Sequence, residues 1–173
     1  MLDFLVTIVT HTPRSVWILL AVLVALGLRQ TASRRIGPGR ALLLPAALVL
    51  LSMFAASRTF GAGGAIEPLV AWALGAAIGA ACSRALGLAR GIVARTDGSL
   101  EVPGSFAPLG IMLSLFLVHY VAHVALAIAP ALATNDAFVV AAAAASGLPS
   151  GMVAARAHAM WTARSMPPSA LAA

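Results

Sequence analysis

The chain has 173 residues, of which 61% are hydrophobic and 9% charged, with a mean hydropathy of +1.00; this excludes an ordinary soluble domain, which is roughly half apolar and a quarter charged. Its 11 basic residues are all arginine and outweigh 5 acids, for a net charge of +6. They fall between apolar runs, so they read as topology signals and not as a nucleic-acid surface, while the single cysteine, Cys82, excludes an internal disulfide and a Cys-x-x-Cys redox pair.

Met1–Thr10 is too short to cross a bilayer and carries Asp3, so a short interfacial helix is expected. Thr12 suits an N-cap and Pro13 the first helical position, where no backbone N–H is needed. A first spanning helix is therefore expected at about 13–29, short of the roughly 20 residues a bilayer core requires. Local thinning or the flanking arginines absorb such a mismatch. The segment after Leu28 is arginine-rich and offers no small-residue cleavage site, so the helix reads as retained and not as a signal peptide.

In the linker QTASRRIGPGR, Gly37, Pro38 and Gly39 are expected to break any helix. A second helix follows at about 40–57, with Pro45 in its first turns. After the glycine-rich RTFGAGGA, a third fits about 66–86. GIVARTDGSLEVPGS is the one polar interlude of any length. Its Asp97-Gly98 between β-favouring runs predicts a hairpin at about 91–103, packed against helix ends because a lone hairpin is marginal in water. A fourth helix is expected at about 106–128, a turn at PALATND, a fifth helix at about 137–161, and a disordered tail at 162–173.

The expected fold class is an all-α integral membrane protein: a single membrane domain, 1–161, of five transmembrane helices, with a short cytoplasmic β-hairpin between helices 3 and 4. Arg29, Arg34, Arg35, Arg40, Arg84, Arg90, Arg95, Arg156 and Arg164 fall on one side of this topology and only Arg14 and Arg58 on the other. Short cytoplasmic loops retain positive charge, so the N-terminus is expected outside and the C-terminus in the cytoplasm. Trp17 and Trp161 then lie near opposite interfaces.

Several stretches resemble the CcdC-like group of small bacterial inner-membrane proteins and a related uncharacterised family. They are RRIGPGRALLLPAAL, AWALGAAIGAACS, the hairpin GIVARTDGSLEVPGS and the late SGLPSGMVAAR, so the resemblance covers most of 36–161. It implies a multi-pass topology and residence in the bacterial inner membrane. It implies no activity and no catalytic residue.

The stretch LVHYVAHVAL sets His119 and His123 on one helix face, four residues apart. Two imidazoles there could serve one metal ion or haem, with His11, just before the first helix, the histidine at the same depth. The plainer reading is interhelical hydrogen bonding by neutral rings, and a third is a proton or substrate path. His158 lies near the opposite end of the fifth helix, too far in depth to join them.

Gly147, Gly151 and Ala155 repeat at every fourth position of the fifth helix, and Gly75 and Gly79 do so in the third. Small residues at this spacing let helix backbones approach. Pro149, between the two later glycines, removes an i to i−4 hydrogen bond and could free a carbonyl for a transported substrate. Arg84 and Arg156 near the inner surface suggest ion pairs with Asp97 and Glu101, or an anion pocket for phosphate or acidic lipid.

No phosphate loop, HExxH, nucleophile elbow or paired-carboxylate motif is present in the sequence, so an enzyme is not the expectation. An accessory, binding or assembly role in the bacterial inner membrane is expected, with transport of a small solute or protons as the alternative and metal- or haem-dependent redox chemistry at His119 and His123 as the third reading. No cofactor is expected under the first of these. The expected partners are the lipid bilayer and other membrane proteins or a second copy of the chain.

Overall fold

Apolar runs of near-bilayer length, punctuated by glycine, proline and arginine, become five α-helices in a computed structural model, which describes residues 10, 12–60, 66–95 and 99–165. They are α1 (Arg14–Leu28), α2 (Pro38–Phe60), α3 (Glu67–Ala85), α4 (Ala107–Ile128) and α5 (Asp136–Ser165). A 3-10 turn, Pro130–Thr134, joins α4 to α5. Among the described residues, α2 to α5 are long and apolar enough to cross a membrane. At 15 residues, α1 extends about 22 Å against a hydrocarbon core of about 30 Å.

Three expectations on element bounds are corrected. Pro38 does not break the second helix but begins it, because the first-turn N–H that proline lacks has no intrahelical partner to lose. The fifth helix does not end at Trp161; it continues to Ser165, where Met160 and Ala163 pack against a small sheet. The hairpin is not two-stranded: β2 (Val93–Ala94) and β3 (Leu100–Val102) are joined by β1 (Arg34–Ile36) from the first linker, in the order β1-β3-β2 and antiparallel throughout. Arg34 pairs with Val102 and Ile36 with Leu100. The added strand gives β3 a partner on each side, which removes the marginality of an isolated hairpin.

Alternation along the strands decides what each face meets. Leu100 and Val102 turn inward and, with Met160, form a buried cluster under Ile36 and Ile92, while Glu101 turns outward to pair with Arg95. The sheet thus gathers the chain following α1, the chain following α3 and the last turns of α5 at one end of the helices. The hairpin tip, with Asp97 and Gly98, lies outside the described residues, as do Met1–Val9, His11, 61–65 and 166–173.

At the centre is a parallel seam between α3 and α5. Every fourth residue of α3 from Ala71 to Ser83 is buried, which puts Gly75 and Gly79 on the seam. A Cβ at Gly75 would lie 2.0 Å from the Ala144 carbonyl oxygen, and one at Gly79 would lie 1.9 Å from that of Leu148. The contact is reciprocal: a Cβ at Gly147 would lie 2.1 Å from the Trp72 oxygen, and one at Gly151 would lie 1.8 Å from that of Ala76. These are backbone atoms that cannot swing aside, so only glycine fits at all four positions.

The exterior is apolar and part of the interior polar. Leu43, Leu51, Leu74, Ile78 and Leu117 are exposed, while Ser52, Ser83, Ser146, Ser150 and Arg156 are buried. Such an inversion suits a hydrocarbon solvent, which rewards no burial of leucine but penalises an exposed polar group.

Gly147→Ala is expected to lower the unfolding midpoint of the purified protein, by about 1–3 kcal/mol of overpacking. Gly110→Ala, on α4, where an added Cβ meets nothing within 4 Å, should leave the midpoint unchanged or slightly raised. Equal midpoints for the two variants would contradict the seam.

Candidate functional site

The helix α1 is held chiefly at its two ends. At the sheet end Gly27 packs so closely on Leu109 that a Cβ would lie 2.4 Å from the Leu109 side chain, and the Gln30 carbonyl accepts a hydrogen bond from the Ser105 N–H at 3.2 Å. At the other end the Thr12 hydroxyl lies 2.8 Å from the Tyr120 hydroxyl. Between these ties the helix stands off from α2 and α4, and Gly27 is its only buried residue.

The gap is a cavity of about 680 Å³ between α1, α2 and α4. Leu19, Leu23, Leu48, Leu51 and Ile128 make much of its wall, and Thr12, Ser52, His119, Tyr120 and His123 supply its polar groups. Leu19, Leu51 and Ile128 are 50%, 63% and 56% exposed, so its mouth is rimmed by hydrocarbon. The Tyr120 ring stacks on Phe116 with centroids 5.8 Å apart, which holds the phenol in place.

The two histidines of α4 share the cavity but differ in setting. His123 is exposed. His119 is half-buried, and its Nδ1 lies 2.9 Å from the Leu115 carbonyl oxygen. A carbonyl only accepts, so this bond requires Nδ1–H, and Nε2 is left buried without a partner among the described residues. His119 also borders a tight space against Thr59, Ala142 and Ser146. Among the described residues no three His, Cys, Asp or Glu side chains come together, and His11 lies outside them. Two imidazoles alone do not complete a zinc-type site, which needs three or four protein ligands. His158 is exposed on α5.

Behind the cavity, Ser52 connects α2 to the seam. The Trp72 indole N–H donates to Ser52 Oγ at 3.3 Å, and Ser150 Oγ lies 2.8 Å from Ser52 Oγ and 2.9 Å from the Ser146 carbonyl oxygen. The Ser146 hydroxyl donates to the Ala143 carbonyl at 2.8 Å. Ser52, Ser146 and Ser150 are at most 2% exposed, and they satisfy one another and nearby backbone carbonyls. Ser52 and Trp72 were not singled out from the sequence, although a serine amid LVLLSMF is a visible signal for an interhelical contact. Pro149 is buried within a continuous α5, between Gly147 and Gly151 on the seam.

The arginines sort differently from their order in the sequence. Arg84 is exposed, and Glu101 is engaged by Arg95. Arg156 is 7% exposed and donates from Nη1 to the Leu88 carbonyl oxygen. The arginine that shares its cavity is Arg34 of β1, whose Nη2 donates to Gln30 Oε1 at 3.0 Å. Desolvation by burial lowers the pKa of Arg34 from the ordinary arginine value.

Comparison with known proteins gives one match. A family model described as "Family of unknown function (DUF6622)" matches residues 2–168. No curated protein and no solved structure matches the chain. Of the two affiliations suggested by the sequence pattern, the match supports an uncharacterised family and gives the CcdC-like group no support.

In a double-mutant cycle, Ser52→Ala and Ser150→Ala should show a coupling energy of about 0.6 kcal/mol, and no more than about 1.7 kcal/mol, the range of interhelical hydrogen bonds in lipid. Additive effects on the unfolding free energy would show that the two hydroxyls do not interact.

Proposed function

We propose that this chain, which belongs to the DUF6622 family, a family of unknown function, is a binding protein of the bacterial inner membrane that takes an amphiphilic molecule from the bilayer into the cavity between α1, α2 and α4. The observation that carries this reading is the cavity itself. It is large, mostly apolar and bordered by exposed leucine and isoleucine, yet Thr12, Tyr120 and His123 stand together on its wall. Ligand sites are commonly apolar clefts of roughly 300–1,000 Å³ with a few placed polar groups. A ligand with a hydrocarbon body and one hydrogen-bonding head group matches that division.

The topology that goes with this function has five spans, α1 being the short one. Support comes from the sheet, which gathers the ends of α1, α3 and α5 on one side, the side that carries Arg29, Arg34, Arg35, Arg84, Arg90, Arg95, Arg156 and Arg164. By the bias of positive charge towards the cytoplasm, that end is inside, the N-terminus is outside, and the cavity polar groups lie in the outer half of the membrane. A helix tied at its ends can separate from α2 without unfolding, which gives a bilayer molecule a lateral entrance.

Organic extracts of the maltoside-purified protein should contain one amphiphile enriched over the bulk membrane extract, at close to one molecule per chain by mass spectrometry. Ala55→Trp and Ala127→Trp, which fill the cavity, should each reduce it about tenfold, equivalent to about 1.4 kcal/mol of binding free energy, and His123→Ala should weaken its retention. An extract of bulk composition that the tryptophan substitutions leave unchanged would overturn the proposal.

A further inference from the structure

The second cavity, of about 170 Å³, lies at the sheet end of the helices, between α2, α4, α5 and β1. It does not touch the histidine cavity's polar groups. Its polar lining consists of Gln30, Arg34 and Arg156, and among the described residues no carboxylate borders it. Arg156 is more than nine-tenths buried, and its Nε–H has no acceptor among the described residues. One Nη1–H reaches the Leu88 carbonyl, a neutral partner. Arg34 is held towards the cavity by strand alternation and by Gln30 Oε1, and Gln30 itself is anchored through Nε2 to Met112 Sδ at 3.8 Å.

Two guanidinium groups converging on one desolvated space repel each other and have lost much of their hydration. Among the described residues Glu101 is engaged by Arg95 on the outer face of the sheet, and no described carboxylate borders the cavity to neutralise them there. We infer that Arg34 and Arg156 form a binding site for one phosphate-class anion. Two planar forks can each take a pair of oxygens from a tetrahedral oxyanion, which a carboxylate offers only once. The Gln30 side chain fixes the position of one fork. The remaining wall includes Pro45, Leu48, Ile111 and Met160, which suits a phosphate that enters on a lipid with its chains along α2 and α4. Basic pockets between helices at the cytoplasmic surface recognise acidic head groups in this way. Free phosphate presents the same chemistry without the apolar part.

The test uses the full chain in phosphate-free maltoside micelles. The thermal midpoint is followed while phosphatidylglycerol is titrated in one arm and inorganic phosphate, at constant ionic strength, in the other. Wild type should be stabilised in at least one arm. Response to the lipid alone identifies a lipid phosphate as the ligand, and response to both identifies the anion itself. Arg34→Gln and Arg156→Gln should each raise the concentration needed for half the effect at least tenfold, whereas Arg84→Gln, at an exposed position outside the cavity, should not. Should Arg156→Gln fail to fold, Arg34→Gln, on a peripheral strand, decides alone. No stabilisation of wild type in either arm, or the same response in Arg34→Gln and Arg84→Gln, would overturn the site.

Discussion

The fold depends on the absence of four side chains. Gly75 and Gly79 of α3 and Gly147 and Gly151 of α5 let the two backbones meet at distances that would put any Cβ about 2 Å from a carbonyl oxygen of the other helix. In a bilayer, lipid tails are as apolar as leucine, so burying leucine between helices gives little net driving force. Association then relies on dense backbone packing and polar contacts. The seam supplies the first, and the Ser52, Trp72 and Ser150 cluster beside it supplies the second.

Everything else is placed relative to that seam. The Ser52 hydroxyl docks α2, α4 lies against α5, and α5 carries Arg156 and Met160 down to the sheet. The sheet closes one end by combining segments from two separate connections, and it sets Arg34 opposite Arg156. The remaining helix, α1, has almost no buried surface of its own and is tied to α4 at its ends. A bundle so arranged has one tight half and one loose half, and the large cavity falls in the loose half. The tight half and the loose half are two results of the same distribution of glycine and leucine.

Much of this was legible in the residues. The apolar runs and the glycines and prolines that punctuate them marked five helices, four of them long and apolar enough to cross a membrane, and the four-residue spacing of small residues marked the faces that meet. The β-favouring runs on either side of Asp97-Gly98 marked β2 and β3, while the dipeptide itself lies outside the described residues. What escaped depends on contacts distant in sequence. Strand β1 is only RRI, in a linker whose Gly37-Pro38-Gly39 reads as loop, and it becomes a strand only because β3 has a free edge. For the same reason Arg84 was the expected partner of Arg156: depth along a helix is readable, but the side of the helix a strand covers is not. The common face of His119 and His123 was readable from their spacing, whereas the half-burial of one and the exposure of the other depend on the packing of neighbouring helices, which spacing does not encode.

The closeness of the seam can be observed directly in lipid by magic-angle-spinning NMR of protein labelled at glycine Cα and alanine carbonyl carbons. Cross-peaks are expected between Gly75 Cα and the Ala144 carbonyl and between Gly151 Cα and the Ala76 carbonyl, pairs brought together only by the packing of α3 on α5. A spectrum with the sequential glycine–alanine peaks but without these two would contradict the account.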